Sequence, residues 1–309
     1  MVNASGFFLG IDLGGTKIEI IALDSQGNEH FRKRIDTPKT QPAPTQYQDI
    51  IHAITELVKE CEIALKQNSL PLGIGIPGSE SLDTGLIKNA NTTCLIGQPF
   101  RDDLSKTLNR PIQIENDANC FALSEAIDGA GKHAQSVFAV ILGTGVGGGW
   151  VINKRLIVGP NHICGEWGHN PLPWPTEQDA FQQTCYCGKL GCIETYLSGP
   201  GWAKQTELEH QIKLNSKGIL QQRHTLKAAQ QSYDLYVERL AKSLASVINI
   251  MDPSVIVLGG GLSNIDSLYE DVPKVWGSYV FSDSVKTKLV KNQYGDSSGV
   301  RGAAWLNKI

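Results

Sequence analysis

Two short glycine-rich turns, each set between strand-like segments, constrain this chain more than any other feature. Phe7-Phe8-Leu9-Gly10-Ile11 reads as a strand, Asp12-Leu13-Gly14-Gly15-Thr16 as a turn, and Ile18 to Ala22 as the returning strand of a hairpin. Val137 to Leu142 is a fully apolar strand ended by Gly143-Thr144-Gly145-Val146-Gly147-Gly148-Gly149, with strand character resuming at Trp150. A third cluster, Gly259-Gly260-Gly261, follows the buried-strand pattern Val255 to Leu258. The 32 glycines exceed the usual share of about 7%, and the excess sits in these clusters. Consecutive glycine amides can curl into a concave donor surface for phosphate oxygens, and Gly14 and Gly15 are both free to take positive φ. Lys17 adds positive charge there, and Asp12 can hold a metal ion or its water. The competing reading of any isolated Gly-Gly is an ordinary hairpin turn.

Two familiar nucleotide motifs are excluded by context. A P-loop needs Gly-x-x-x-x-Gly-Lys-Ser/Thr opening a helix. Nothing in the chain matches, and Gly14-Gly15-Thr16-Lys17 runs into a strand. Gly143, Gly145 and Gly148 do fit Gly-x-Gly-x-x-Gly after a strand. The dinucleotide fingerprint must open a helix, however, whereas Trp150-Val151-Ile152 favours a strand.

Elsewhere, Ile50, Ile51, Ile54, Leu57, Val58, Cys61 and Leu65 recur at helical spacing, as do Leu235, Leu240, Leu244, Val247 and Ile248 before the stop at Asp252-Pro253. Strands mixed with helices give an α/β class, and 309 residues suit about two domains. The two strand–glycine turn–strand units give a faint signal of duplication. A net charge of −3 without a basic stripe argues against nucleic acid or an anionic membrane as the partner. The longest apolar run, Val137 to Leu142, is far too short to span a bilayer. The first six residues carry no cationic flank, so the expected compartment is the cytoplasm.

Two local clusters carry chemistry. Asn116-Asp117-Ala118-Asn119 puts a carboxylate where a strand meets a helix, suited either to capping the helix or to facing a ligand as a base. Cys185, Cys187 and Cys192 gather three thiols on a loop with Gly188 and Gly191. Tetrahedral zinc needs a fourth ligand, and His162, Cys164 and His169 are nearby in sequence. A reactive dithiol or a local disulfide is the alternative.

The turn Asp12 to Lys17, the Gly143-Thr144-Gly145 loop and Gly259-Gly260-Gly261 resemble the phosphate and adenosine motifs of the actin/hexokinase/heat-shock ATPase superfamily. Within it they resemble the ROK family of repressors and sugar kinases, over nearly the whole chain. Gly299-Val300-Arg301-Gly302-Ala303-Ala304 has that family's closing look. The resemblance implies a two-domain fold with a cleft, divided as residues 1–117 with about 296–309 and residues 118–295. It implies ATP with Mg²⁺ at Gly10, Asp12, Gly14, Gly15, Thr16, Lys17, Gly143, Thr144, Gly145, Gly147, Gly148, Gly259, Gly260 and Gly261. Asp117 would be the general base. Ser79, Asn91, Asn116, Glu166, His169 and Glu194, with Asp117, would line a sugar. Structural zinc would be held by His169, Cys185, Cys187 and Cys192. The function implied is a hexose kinase, with fructose (and possibly mannose) preferred as substrate over the alternative, N-acetylglucosamine. Lys88 to Thr93, Gly97 to Phe100 and Gly165 to Trp174 favour the fructokinase branch. Asn116 to Glu125 and Gly147-Gly148-Gly149 suit the N-acetylglucosamine branch equally. A homodimer is expected from the family. A ROK transcriptional regulator would need a helix-turn-helix before the first strand, for which no room is expected ahead of Phe7. A zinc hydrolase would need an open metal position, which three thiolates and His169 do not leave.

Overall fold

A computed structural model describes residues 6–308; residues 1–5 and 309, and so most of the N-terminal hexapeptide, lie outside the described residues. The chain forms two compact units. One holds the chain up to Lys132, Trp150–Cys164 and the segment from residue 296 on; the other holds His133–Gly149 and Gly165–Gly295.

The chain begins with β1 (Phe7–Leu13), β2 (Lys17–Asp24), β3 (Glu29–Asp36), α1 (Ala43–Leu65) and β4 (Leu72–Ile76). The short pair β5 (Ser79–Glu80) and β6 (Ile87–Lys88), α2 (Phe100–Leu108), β7 (Ile112–Asn116) and α3 (Asp117–Ile127) follow. Next come β8 (Ser136–Leu142), β9 (Val146–Ile152), β10 (Arg155–Ile157), α4 (Glu194–Leu197), α5 (Gly199–His210), α6 (Ser216–Gln222) and α7 (Lys227–Met251). The chain closes with β11 (Val255–Gly259), α8 (Leu268–Trp276), β12 (Lys288–Lys291) and α9 (Ser298–Trp305). Among the described residues no helix is long and apolar enough to cross a membrane.

One sheet has the order β3-β2-β1-β4-β7 and another the order β10-β9-β8-β11-β12. In the first, β1 and β2 are antiparallel with Leu13 opposite Ile18, and β4 and β7 continue the sheet in parallel. In the second, β9 and β10 are antiparallel, and β11 is parallel to β8 and to β12. The same order recurs in both sheets, and the duplication that is faint in sequence is plain in topology. β4 is buried throughout, as expected for a strand covered on both faces. One face is covered by the helix read from the Ile50 to Cys61 spacing, whose buried stripe is Tyr47, Ile50, Ile51, Ile54, Leu57, Val58 and Cys61.

Glycines decide how α9 seats in the first unit. A Cβ on Gly10 of β1 would lie 2.1 Å from the Val300 carbonyl oxygen, and one on Gly73 of β4 would lie 1.9 Å from that of Ala303. A Cβ on Gly302 would lie 1.7 Å from the Cys120 carbonyl oxygen on α3. No side chain fits at these points. The same seam explains why the boundary observed at Lys132 differs from the expected one at residue 117: α3 packs on α9 and stays with the first unit.

Candidate functional site

The first glycine turn spans Gly14-Gly15-Thr16 between β1 and β2. It is closed by a hydrogen bond from Gly14 N–H to the Lys17 carbonyl (2.9 Å), and the Thr37 hydroxyl donates to the Gly14 carbonyl (2.8 Å). Gly14 and Gly15, expected to be free for positive φ, do not use it. What the turn needs is bareness: a Cβ on Gly15 would meet only the Thr92 hydroxyl, 3.8 Å away. That hydroxyl belongs to a buried residue and has no hydrogen-bond partner among the described residues. Thr16 and Lys17 are exposed.

Asp12 lies one residue before the end of β1, partly buried, with its carboxylate beside Gly299. A Cβ on Gly299 would stand 3.4 Å from Asp12 Oδ2. Burial, then the negative charge of Asp117 and that of Glu19, push the Asp12 carboxyl from 3.8 up to about 7, against the pull of Arg34. Glu19 is itself buried and accepts from Arg32 Nε (2.5 Å) and from an Arg34 guanidinium nitrogen (2.6 Å). The buried thiol of Cys120 is also raised, by burial first and then by Glu115, Asp12 and Asp117. A group of carboxylates therefore shares one small region of the first unit.

At the β7–α3 junction the helix cap is Asn116, whose side-chain oxygen accepts from Ala118 N–H (2.9 Å). Asp117 is the first helical residue, and its Oδ1 also lies 2.7 Å from that amide. The capping position thus falls to the neighbour of Asp117. Asn116 Nδ2 donates to the Gly78 carbonyl (3.2 Å), which ties the junction to the turn before Ser79. Glu115 Oε1 accepts from Asn116 N–H (2.8 Å) and Asn119 Nδ2 (3.0 Å), a positioning contact the sequence reading missed. Ser79 is in β5, and Asn91 N–H donates to the Pro77 carbonyl (3.0 Å).

In the second unit, the loop Gly143-Thr144-Gly145 joins β8 to β9. Strand β9 starts at Val146, earlier than the expected Trp150. Gly147 and Gly148 are therefore strand residues, and a packing role explains Gly148. The Gly147 carbonyl accepts from Trp167 Nε1 (3.0 Å), and a Cβ on Gly165 would lie 2.2 Å from the Gly148 carbonyl oxygen. Gly260, at φ +77, packs against Leu142, and Gly259 closes buried β11. A cavity of about 630 Å³ is lined by Gly143, Thr144 and Gly261. Gly199, Pro200, Ala203, Asn215, Ser216, Lys217, Leu220, Leu262, Asn264 and Ile265 complete its wall, and none of these was singled out in the sequence. They come from three separate segments, and no local motif marks them. Another cavity, of about 570 Å³ beside α8 and β12, contains none of the expected residues.

Beside β9 the 165–169 loop and the cysteine loop come together. Glu194 begins α4 and accepts from Val146 N–H through Oε2 (2.9 Å), while its Oε1 lies 3.8 Å from Cys185 Sγ. The ligand atoms of His169, Cys185, Cys187 and Cys192 all lie within 4.8 Å of one another. Cys187 and Cys192 sulfurs are 3.6 Å apart, and Cys185 Sγ is 3.5 Å from His169 Nδ1. Zinc bonds of about 2.3 Å to sulfur and 2.0–2.1 Å to nitrogen put tetrahedral neighbours roughly 3.5–3.8 Å apart, so the donor set fits such an ion. Of the nearby candidates, only His169 joins the thiols. Its Nε2 lies 2.9 Å from the Tyr186 hydroxyl and 3.9 Å from Glu166 Oε2. Partial desolvation of the Tyr186 hydroxyl, then the negative charges of Glu194 and Glu166, push that phenol up to about 12.

Two sheets of one topology, each with a bare turn after its first strand, define an actin/hexokinase-like α/β fold. Within that class the chain belongs to the ROK family, matched over residues 8–309. It is 39% identical over 305 residues to an N-acetyl-D-glucosamine kinase of Vibrio cholerae, covering 97% of this chain and 99% of that relative. Among solved structures it is similar to a ROK hexokinase from Thermus thermophilus (TM-score 0.85, 26% identity, 98% of this chain and 99% of the other). It is also similar to a ROK family glucokinase from Streptomyces griseus in complex with glucose and AMPPNP (TM-score 0.73, 26% identity, 97% and 99%).

Proposed function

We propose that this chain is an ATP-dependent sugar kinase whose substrate is N-acetyl-D-glucosamine. The observation that carries the substrate is the end-to-end likeness to the Vibrio cholerae kinase of that sugar. It replaces the fructose preference drawn from local segments, because 39% identity over 305 residues outweighs short loops shared between branches. The sugar kinase reading itself also accords with the hexokinase and glucokinase likenesses.

Phosphoryl transfer to an alcohol depends on position, charge and one base. Asp117, at the first helical position beside the Asn116 cap, accepts the proton of the sugar's primary hydroxyl as that oxygen attacks the γ-phosphorus and ADP leaves. Asp12 is the group that would hold Mg²⁺, which supplies charge neutralisation on the phosphates. Its raised carboxyl fits that role, since a cation there relieves the crowding by Asp117 and Glu19. The exposed segment Gly15-Thr16-Lys17, free of bulk at Gly15, suits phosphate oxygens, and the 630 Å³ cavity suits the nucleoside of ATP. Packing accounts for Gly10, Gly148 and Gly260, where a Cβ would press on neighbouring backbone, so these are left out of the nucleotide set, while Gly147 and Gly259 stay in it.

The sugar-recognising groups expected in the first unit are Ser79, Asn91 and Asn116; those in the second are Glu166 and Glu194, with His169, between the thiols and Tyr186, holding the loop that carries Glu166. Amides and carboxylates pair with hydroxyls that both donate and accept. His169, Cys185, Cys187 and Cys192 would hold zinc, which supplies a fixed cross-link between loops and no redox chemistry. The thiol loop leads directly into Glu194, and His169 lies three residues after Glu166, so the cross-link orients both carboxylates.

An ADP-release assay with Mg-ATP tests the reading against N-acetylglucosamine, glucose, mannose and fructose at matched concentrations. The highest kcat/KM is expected on N-acetylglucosamine. Fructose in first place would restore the other substrate, and no turnover on any sugar would remove the kinase reading.

A further inference from the structure

The loop that carries the thiols also carries Tyr186, to which neither the metal cluster nor the sugar set gives a role. The residue is 83% exposed, and its ring stands edge-on to His169, with centroids 5.0 Å apart at 87°. A tyrosine kept only for packing would bury its ring. Here the ring is left in solvent while the hydroxyl is held 2.9 Å from His169 Nε2. The other ring nitrogen, Nδ1, faces Cys185 Sγ at 3.5 Å. The imidazole thus has one nitrogen turned to the thiols and one turned away from them, towards Tyr186 and, at 3.9 Å, Glu166 Oε2.

The hydrogen-bond capacities then follow. When Nδ1 serves as a ligand its lone pair is committed, so Nε2 carries the ring hydrogen and donates to the Tyr186 oxygen. The Tyr186 O–H is left to donate to a third group. Glu166, about half exposed at its side chain, offers acceptors beside it. An exposed donor next to an exposed acceptor matches a ligand that presents two adjacent oxygens, one of them able to accept.

We propose that Tyr186 is a sugar-contacting residue, its hydroxyl donating to a ligand oxygen next to the one met by Glu166. The assignment rests on the sugar kinase reading above and deepens it at the recognition end. A residue that only steadied His169 would act through the metal cluster; one that touches the sugar acts on sugar affinity with the cluster intact.

The experiment compares the full-length, zinc-loaded wild type with Tyr186→Phe, which keeps the ring and removes the hydroxyl. The readouts are the Kd for N-acetylglucosamine by calorimetry without nucleotide, the KM values for sugar and ATP, and zinc per chain. Loss of one hydrogen bond to ligand predicts a rise of about five- to tenfold in sugar Kd and KM. The ATP KM and zinc content should match the wild type. A Tyr186→Phe variant with wild-type sugar Kd and KM overturns the assignment. So does a rise accompanied by lost zinc, which would mark a structural residue. A wild type that phosphorylates no sugar fails earlier: it overturns the kinase reading, and the Tyr186 assignment falls with it. Active wild type with an unaffected variant overturns Tyr186 alone.

Discussion

The two glycine turns share one architecture and carry opposite chemistry. In the first, β1 ends at Leu13 and β2 begins at Lys17; in the second, β8 ends at Leu142 and β9 begins at Val146. Both leave a three-residue loop whose first glycine amide is bonded back, Gly14 to Lys17 (2.9 Å) and Gly143 to Gly145 (3.0 Å). Counting from each turn, Asp12 corresponds to Ile141 and Glu19 to Gly148. The first turn is thus flanked by buried or half-buried carboxylates, with Asp117 adding its charge to Asp12. The second has an apolar residue and a glycine packed on Gly165 at those places, receives its one carboxylate, Glu194 on Val146 N–H, from a distant helix, and borders the 630 Å³ cavity through Gly143 and Thr144. One backbone pattern thus occurs twice, and the side chains two positions from each turn are what set the two apart.

The comparison breaks most readily at its acidic position. Asp12→Asn is expected to lower kcat by about 10²–10³-fold, the size of losing one well-placed electrostatic group. Ile141→Val at the matching place should leave kcat within about threefold. Steady-state kinetics on both variants decides it, and equal effects would dissolve the distinction.

Next comes the pH dependence of folding. The Asp12 carboxyl rises from 3.8 to about 7 in the fold, so the neutral form is the one favoured there. The stability this contributes is complete below about pH 4 and lost as pH rises through about 7, on the order of 4 kcal/mol in all. Urea unfolding of wild type and Asp12→Asn, without nucleotide or Mg²⁺, should show a wild-type deficit that grows from pH 5 to pH 8. Parallel stability curves would refute the burial account.

The proposed zinc site belongs to the other unit. Chelation, or Cys192→Ser, should raise the sugar KM by about 10–100-fold, the usual cost of disturbing the support of ligand-orienting groups. The zinc lost and the KM gained are measured on the same sample. An unchanged KM at zero zinc would separate the thiol cluster from sugar recognition. The smallest effect concerns the glycines themselves. Gly10→Ala forces a Cβ onto the Val300 carbonyl and should cost about 1–3 kcal/mol in denaturant unfolding. Gly143→Ala meets nothing within 4 Å and should stay within about 0.5 kcal/mol, its effect appearing in the ATP KM.

Much of this was legible because it is local. The hairpin around Gly14, the α1 stripe from Ile50 to Cys61 and the thiol spacing each declare themselves within a few residues. What escaped depends on distant approach. Gly10 reads as part of a phosphate motif, and only the path of α9, almost 300 residues later, shows that it makes room for a helix. Gly147 and Gly148 read as loop because their glycines mask a strand whose partner loop lies at 165–168. The cavity wall from Asn215 to Leu220 and Leu262 to Ile265 has no motif, since its mixed polar and apolar residues meet only through folding of separate segments. Asp117 reads as either cap or base because a carboxylate at a strand–helix junction suits both; the cap residue is Asn116, while Asp117 Oδ1 shares the Ala118 amide and its part as base is the proposal made above.

That last assignment is where the account is most exposed. Wild type and Asp117→Asn should be compared for N-acetylglucosamine binding by calorimetry and for turnover with Mg-ATP on the same preparations. Sugar affinity within about threefold of wild type, with kcat lower by about 10²–10⁴-fold, is the expected result for loss of a general base. Near-normal turnover in Asp117→Asn would contradict it and leave the carboxylate as a mere part of the helix start.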